Sequence, residues 1–151
     1  MLRLTKRADY ALIAMKHLAS VDEGSASARA IAERYRIPSE ILAKVLQRLV
    51  RCRLLASEHG TKGGYTLGRD PSRISVAEVV EAVDGPITLT TCSESDNDCE
   101  QYSACTVRDP LWQIRDRITE SLESFSIADL AKGRVAQQRR RVAATCQERG
   151  E

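Results

Sequence analysis

Aromatic side chains are scarce in this 151-residue chain, at 4% of its residues. Its core must therefore be built mostly from leucine, isoleucine, valine and alanine. Histidine is scarcer, with only His17 and His59, and neither belongs to a Ser/His/Asp arrangement that could activate a nucleophile. No apolar run approaches the ~20 residues that span a bilayer. The opening MLRLTKRADYALIAMKHLAS is charged throughout, unlike the apolar region of a signal peptide. No glycine-rich phosphate loop follows a strand, because Gly63-Gly64 reads as part of a hairpin. These absences argue against an enzyme and against a membrane partner. The length suits one domain or one small domain with appendages, and the expected location is cytoplasmic.

Charge is ordinary in total and uneven in place. Residues 1–75 hold 14 Lys/Arg against 7 Asp/Glu, and residues 76–133 hold 4 against 12. The last eighteen residues are basic again, with Arg139-Arg140-Arg141. A basic first half joined to an acidic second half suggests that the first half meets a polyanion.

The basic half reads as helices followed by a hairpin. Thr5 is a fair cap for a first helix to about Ser20, with Tyr10, Ala11, Ala14, Met15 and Leu18 at helical spacing. Ser27 caps a short helix from Ala28 to Tyr35, and Pro38 pushes Ile37 out of helical geometry at the turn. Ser39 is expected to cap a third helix in which Ile41, Leu42, Val45, Leu46, Leu49 and Val50 form an apolar stripe, with Ile41, Leu42 and Val45 facing inward. Cys52, after that helix, reads as a small packed side chain. Leu54–Ser57 and Tyr65–Leu67 read as strands around the glycine-bearing tip His59–Gly64. Ser75 and Glu78 form a capping box for a helix that Asp84-Gly85-Pro86 ends.

The fold class is therefore mainly α with a small β wing: a winged helix-turn-helix, plus a long dimerisation helix. In a helix-turn-helix the second of its two helices enters the major groove. The residues placed to reach DNA are Ser39, Glu40, Ala43, Lys44 and Arg48, with Gln47 on the same turn. The wing offers His59, Thr61, Lys62 and Gly63 to phosphates or the minor groove. Double-stranded promoter DNA is the expected partner.

The acidic half is organised around TCSESDNDCEQYSACTVRD, residues 91–109. Cys92, Cys99 and Cys105 lie in it with hardly a large apolar side chain between them, so packing cannot order the segment. Thiolates around a metal or cluster would supply that order. Five cysteines in a reducing compartment argue against a disulfide framework. After the loop, Pro110 suits the first turn of a helix whose stripe is Leu111, Ile114, Arg115, Ile118, Leu122 and Phe125. A lone amphipathic helix of that length wants a partner surface, and a symmetric homodimer is the simplest source of one. The expected divisions are 1–84 for DNA binding, 85–109 for the cysteine loop, 110–133 for the dimerisation helix and a short terminal helix capped by Ser126, and 134–151 as a basic tail.

With its motifs assembled, the chain resembles the winged-helix iron–sulfur regulators of the Rrf type, which include the cluster-biogenesis regulator IscR and the nitric-oxide sensor NsrR. The matching stretches are LTKRADYALIAMKHLA, IPSEILAKVLQRLVRCRLL, GTKGGYTLGRDPSRISVAEVVEAVDG, the three-cysteine loop and FSIADLAKG, covering about residues 1–133. The resemblance implies a homodimer paired through the long helix and an iron–sulfur cluster on Cys92, Cys99 and Cys105 that senses cluster status, nitric oxide or redox stress. IscR-like members carry a histidine three residues after the third cysteine, where this chain has Arg108, and a guanidinium is no ligand. NsrR-like members use an aspartate near the start of the first helix, supplied across the dimer, and the matching residue here is Asp9. That substitution favours a 4Fe–4S over a 2Fe–2S cluster. The alternatives are zinc in the same loop, against which the spacings of six and five residues count, or a disulfide-forming thiol switch.

Overall fold

The computed structural model describes residues 3–21, 24–58, 60, 63–90 and 100–133. Cys92, Cys99, His59, Thr61, Lys62 and the segment 134–151 lie outside the described residues.

Local hydrogen bonding sets most helix starts. The Thr5 hydroxyl accepts from the Ala8 N–H at 3.2 Å and opens α1 (Lys6–Ser20). Ser27 accepts from Ala30 N at 3.1 Å and opens α2 (Ala28–Tyr35). Ser75 and Glu78 exchange side-chain and backbone bonds ahead of α4 (Val76–Asp84), and Ser126 and Asp129 do the same ahead of α6 (Ile127–Ala131). The third helix, α3 (Ser39–Arg51), departs from this pattern. Pro38 occupies its cap position without a side-chain bond, so Ser39 is the first helical residue and not the cap. The 16-residue α5 runs Arg108–Glu123, with Pro110 in its first turn.

A three-stranded antiparallel sheet has the order β1 (Ser25–Ala26), β3 (Gly64–Leu67), β2 (Leu55–Glu58). Leu55 pairs with Leu67 and Glu58 with Gly64 in the wing, while Ser25 pairs with Thr66 on the other edge.

The main core joins Ala11, Ala14, Met15 and Leu18 of α1 to Ile31 of α2 and to Leu42, Leu46 and Leu49 of α3. Truncating one of these buried leucines to alanine costs about 2–5 kcal/mol, through lost transfer energy and an unfilled cavity. Ile127 of α6 is fully buried in the same core. The chain returns there because Val76 N donates to Phe125 O at 2.8 Å and Ile127 N to Ile74 O at 2.9 Å. These bonds tie the starts of α4 and α6 together side by side. A smaller cluster of Ala8, Val76 and Val80 receives Leu122 and Phe125 from the far end of the long-helix region.

Two expectations about side-chain placement are corrected. Ile41 is 41% exposed, because the buried stripe of α3 is completed by Leu42, Val45, Leu46 and Leu49 and leaves Ile41 on its flank. Cys52 follows the helix end and is exposed.

Candidate nucleic-acid interface and metal centre

The helix-turn-helix corner is made by backbone geometry. Arg36 ends α2 in the left-handed region (φ 53°, ψ 42°), and Ile37 N donates to Ala32 O at 3.0 Å. Ile37 is buried and Pro38 redirects the chain, so α3 leaves the corner with its apolar face inward. Glu40, Lys44, Gln47 and Arg51 are all exposed on the opposite face. Their spacing of four, three and four residues aligns them along one side of the helix. Ser39 is exposed, while Ala43 is half-buried where α3 meets Ala28, Arg29 and Ala32 of α2 along an open groove. Arg51 was not among the residues expected to reach DNA. Continuing the helical spacing from Lys44 and Gln47 finds it.

Arg48 sits on the flank of this face. Its Nε donates to the carbonyl oxygen of Ala82 in α4 at 2.8 Å. His17 Nδ1 lies 3.2 Å from the Tyr35 hydroxyl, with the rings edge to face at 5.5 Å between centroids. This pair holds α1 to the end of α2. Partial burial, then the charge of Arg34, lower the His17 pKa from its ordinary value.

The wing tip accepts glycine for steric reasons. A Cβ on Gly63 would collide with the backbone oxygens of Glu58 and Gly60, and Gly63 N donates to Gly60 O at 2.9 Å. Gly60 itself has φ 127°, which side chains rarely adopt.

In the cysteine region, Cys105 is half-buried directly after a 3-10 turn, Tyr102–Ala104, and three residues before Arg108 opens α5. Arg108 stacks over the Tyr102 ring at 4.5 Å and the Trp112 ring at 5.4 Å. Its Nη1 donates to Tyr102 O at 3.2 Å and its Nε to Asp109 at 2.8 Å. The bond to Asp109, followed by the charges around it, raises the guanidinium pKa from its ordinary value. Arg108 thus clasps the turn that carries Cys105 onto the start of α5. Among the described residues no three His, Cys, Asp or Glu side chains converge on one point.

Asp9 stands in the first turn of α1, half-exposed and 3.7 Å from Lys6 Nζ. The start of that helix is anchored by Asp84, whose carboxylate accepts from Thr5 Oγ1 and lies 3.7 Å from Arg7. No residue of α5 is fully buried, and Ile114 is 48% exposed.

Three helices, a glycine-tipped wing and a long C-terminal helix define a winged helix-turn-helix regulator. The chain belongs to the Rrf2 family, described as iron-dependent transcriptional regulators, which it matches over residues 4–133. It is 38% identical to the HTH-type transcriptional regulator IscR of Xenorhabdus nematophila over 133 residues, 87% of this chain and 80% of that protein. Among solved structures it is similar to CymR, the global cysteine regulator of B. subtilis, at TM-score 0.71 and 29% identity, covering 87% of this chain and 98% of that one. It is similar also to T. potens IscR, at TM-score 0.69 and 27% identity, covering 90% and 91% of the two chains. This chain is a DNA-binding transcriptional regulator and not an enzyme. No described helix is long and apolar enough to cross a membrane.

Proposed function

We propose that this regulator works as a homodimer whose DNA affinity is controlled by an iron–sulfur cluster on Cys92, Cys99 and Cys105, with Asp9 of the partner subunit as the fourth ligand. The observation that carries the proposal is the join between Cys105 and α5. A helix with no fully buried residue, suited to pairing with a second copy, begins three residues after a half-buried thiol. Whatever orders the cysteines therefore acts at the end of the helix that sets the distance between subunits.

The donor set fits a cluster. Thiolates are its usual ligands. Arg108, three residues after Cys105, is a guanidinium occupied with Tyr102, Asp109 and Trp112 and is no ligand, which supports Asp9 as the fourth donor. When bound, the cluster would supply a centre open to oxygen or nitric oxide at its oxygen-ligated corner, and the 4Fe–4S form suits that arrangement better than 2Fe–2S. The protein's own part is mechanical. Asp84 holds the helix that bears Asp9, and Arg108 holds the turn that bears Cys105. In each copy, Ser39, Glu40, Ala43, Lys44 and Arg48 enter a major groove, with Gln47 and Arg51 on the same side. The wing residues His59, Thr61, Lys62 and Gly63 would serve phosphates or the minor groove.

Anaerobic purification with iron and sulfide counts tests the reading. About four of each per monomer, in a brown protein, supports it. Replacing Cys99 or Asp9 with alanine should destabilise the cluster without unfolding the chain. Intact visible spectra in both variants would overturn the ligand set. A thiol switch on the same cysteines is the second reading, favoured by the fold's close match to CymR. A colourless protein whose DNA binding responds to peroxide and thiol would establish that reading in its place.

A further inference from the structure

We infer that Arg48 is a positioning residue that links DNA binding on α3 to the C-terminal end of α4, through its Nε–H bond to Ala82 O. The inference deepens the reading above and rests on α3 being the recognition helix.

The bond exists because α4 cannot satisfy its own last carbonyls. In a continuing helix Ala82 O would accept from the residue four positions on, but that residue is Pro86, which has no N–H. Gly85 N, the nearest alternative, is taken by Glu81 O at 2.9 Å. Ala82 O is thus left for a donor from outside the helix, and the guanidinium of Arg48 supplies it at 2.8 Å. A cation at a helix C-terminus is also favoured by the macrodipole.

The end of α4 is a junction. Two residues after Ala82, Asp84 accepts from Thr5 and pairs with Arg7, which fixes the start of α1 near Asp9. Gly85, at φ 88°, then turns the chain away toward the cysteine segment. A shift at this junction reaches α3 directly through Arg48, without passing through the subunit interface. Arg48 has five N–H donors and uses one on Ala82. The others carry charge on an exposed flank of the recognition helix, where a DNA phosphate would meet it. Coupling of this kind is reciprocal, so DNA bound on α3 should steady the end of α4.

Two substitutions separate the roles. In Arg48→Gln the amide nitrogen sits the same number of bonds from the backbone as Arg48 Nε, so the link to Ala82 O is retained while the charge is lost. Arg48→Met loses both. The probe is a duplex selected from a random-sequence library by the wild-type protein, and the readout is amide hydrogen exchange of residues 81–90 with and without saturating duplex. We expect the duplex to slow exchange there in wild type and in R48Q, and not in R48M. Both variants should bind more weakly, with the salt slope lowered by about 1. Equal exchange responses in R48Q and R48M, or no response in wild type, would overturn the link. If the wild-type protein selects no duplex, the assignment of α3 as recognition helix fails first, and the inference fails with it. Selection and exchange are run on both the cluster-free and the cluster-loaded protein, so whichever form binds DNA supplies the readout and a colourless protein leaves it decidable.

Discussion

Thr5 and Asp84, 79 residues apart in sequence, meet at 2.7 Å between hydroxyl and carboxylate. The same hydroxyl accepts from Ala8 N, so one side chain both caps α1 and anchors it to α4. Its single proton goes to Asp84 and a lone pair serves the cap, which uses the group fully. Replacing Asp84 with alanine should cost about 1–2 kcal/mol in urea unfolding, as a lost charge-assisted bond at a partly open site. Combined with Thr5→Val in a double-mutant cycle, it should show a coupling energy of at least about 0.5 kcal/mol. Additive losses would mean the contact contributes little.

The pKa of His17 is lowered in the folded protein, first by partial burial and then by Arg34. The folded state therefore resists protonation more than the unfolded chain does. The sign follows: the stability is fully present above the ordinary histidine value of about 6.5 and is lost as pH falls below it, through the lowered folded value. Urea midpoints at pH 7, 6 and 5 should fall more steeply for wild type than for His17→Gln. Parallel curves would remove His17 from the account.

Ile114 is half-exposed on a helix with no fully buried residue. Ile114→Glu should leave the monomer fold intact and place two like charges against each other in a dimer paired through α5. Sedimentation should then report a monomer at micromolar concentration. A dimer that survives the substitution would move the interface elsewhere.

Arg108 stacks on Trp112, the only tryptophan in the chain. Arg108→Ala should change the tryptophan emission of the cluster-free protein and hasten loss of iron from the loaded one. Unchanged emission together with unchanged iron retention would show that the turn carrying Cys105 is held by other contacts.

Gly63→Ala forces a Cβ against the backbone oxygens of Glu58 and Gly60, so the wing tip must rearrange. DNA affinity should drop several-fold while the thermal midpoint moves little, because the tip lies away from the core. Lys62→Ala should weaken binding to all sequences and lower the salt slope by about 1, as for one lost phosphate contact. Loss confined to particular sequences would make Lys62 a base reader.

Most helix boundaries were legible because their causes are local. Thr5, Ser27, Ser75 with Glu78, and Ser126 bond to backbone only three residues away, and such pairs can be read directly from the letters. Ser39 looked equally suitable, yet Pro38 takes the cap position and no side chain caps α3. The strand Ser25–Ala26 left no pattern to read, since two residues show no alternation and exist as a strand only by pairing with Tyr65 and Thr66. The candidate site was legible as residue types: the cysteines, the charged helix face and the glycine tip. Arg51 continues the spacing of Lys44 and Gln47 along the same exposed face.

By itself the sequence determined the helix caps other than that of α3, most of the apolar stripes, the cysteine spacing and the family, because each depends on residues within a few positions of one another or on their order. Only the tertiary structure decided that Asp84 anchors α1, that Arg48 holds the end of α4 and that Ile127 returns to the main core. The physical reason is that a donor or an apolar side chain carries no mark of its distant partner. Arg48 could serve solvent, DNA or a carbonyl equally well, and it meets Ala82 O because packing α3 against α4 brings together two groups 34 residues apart.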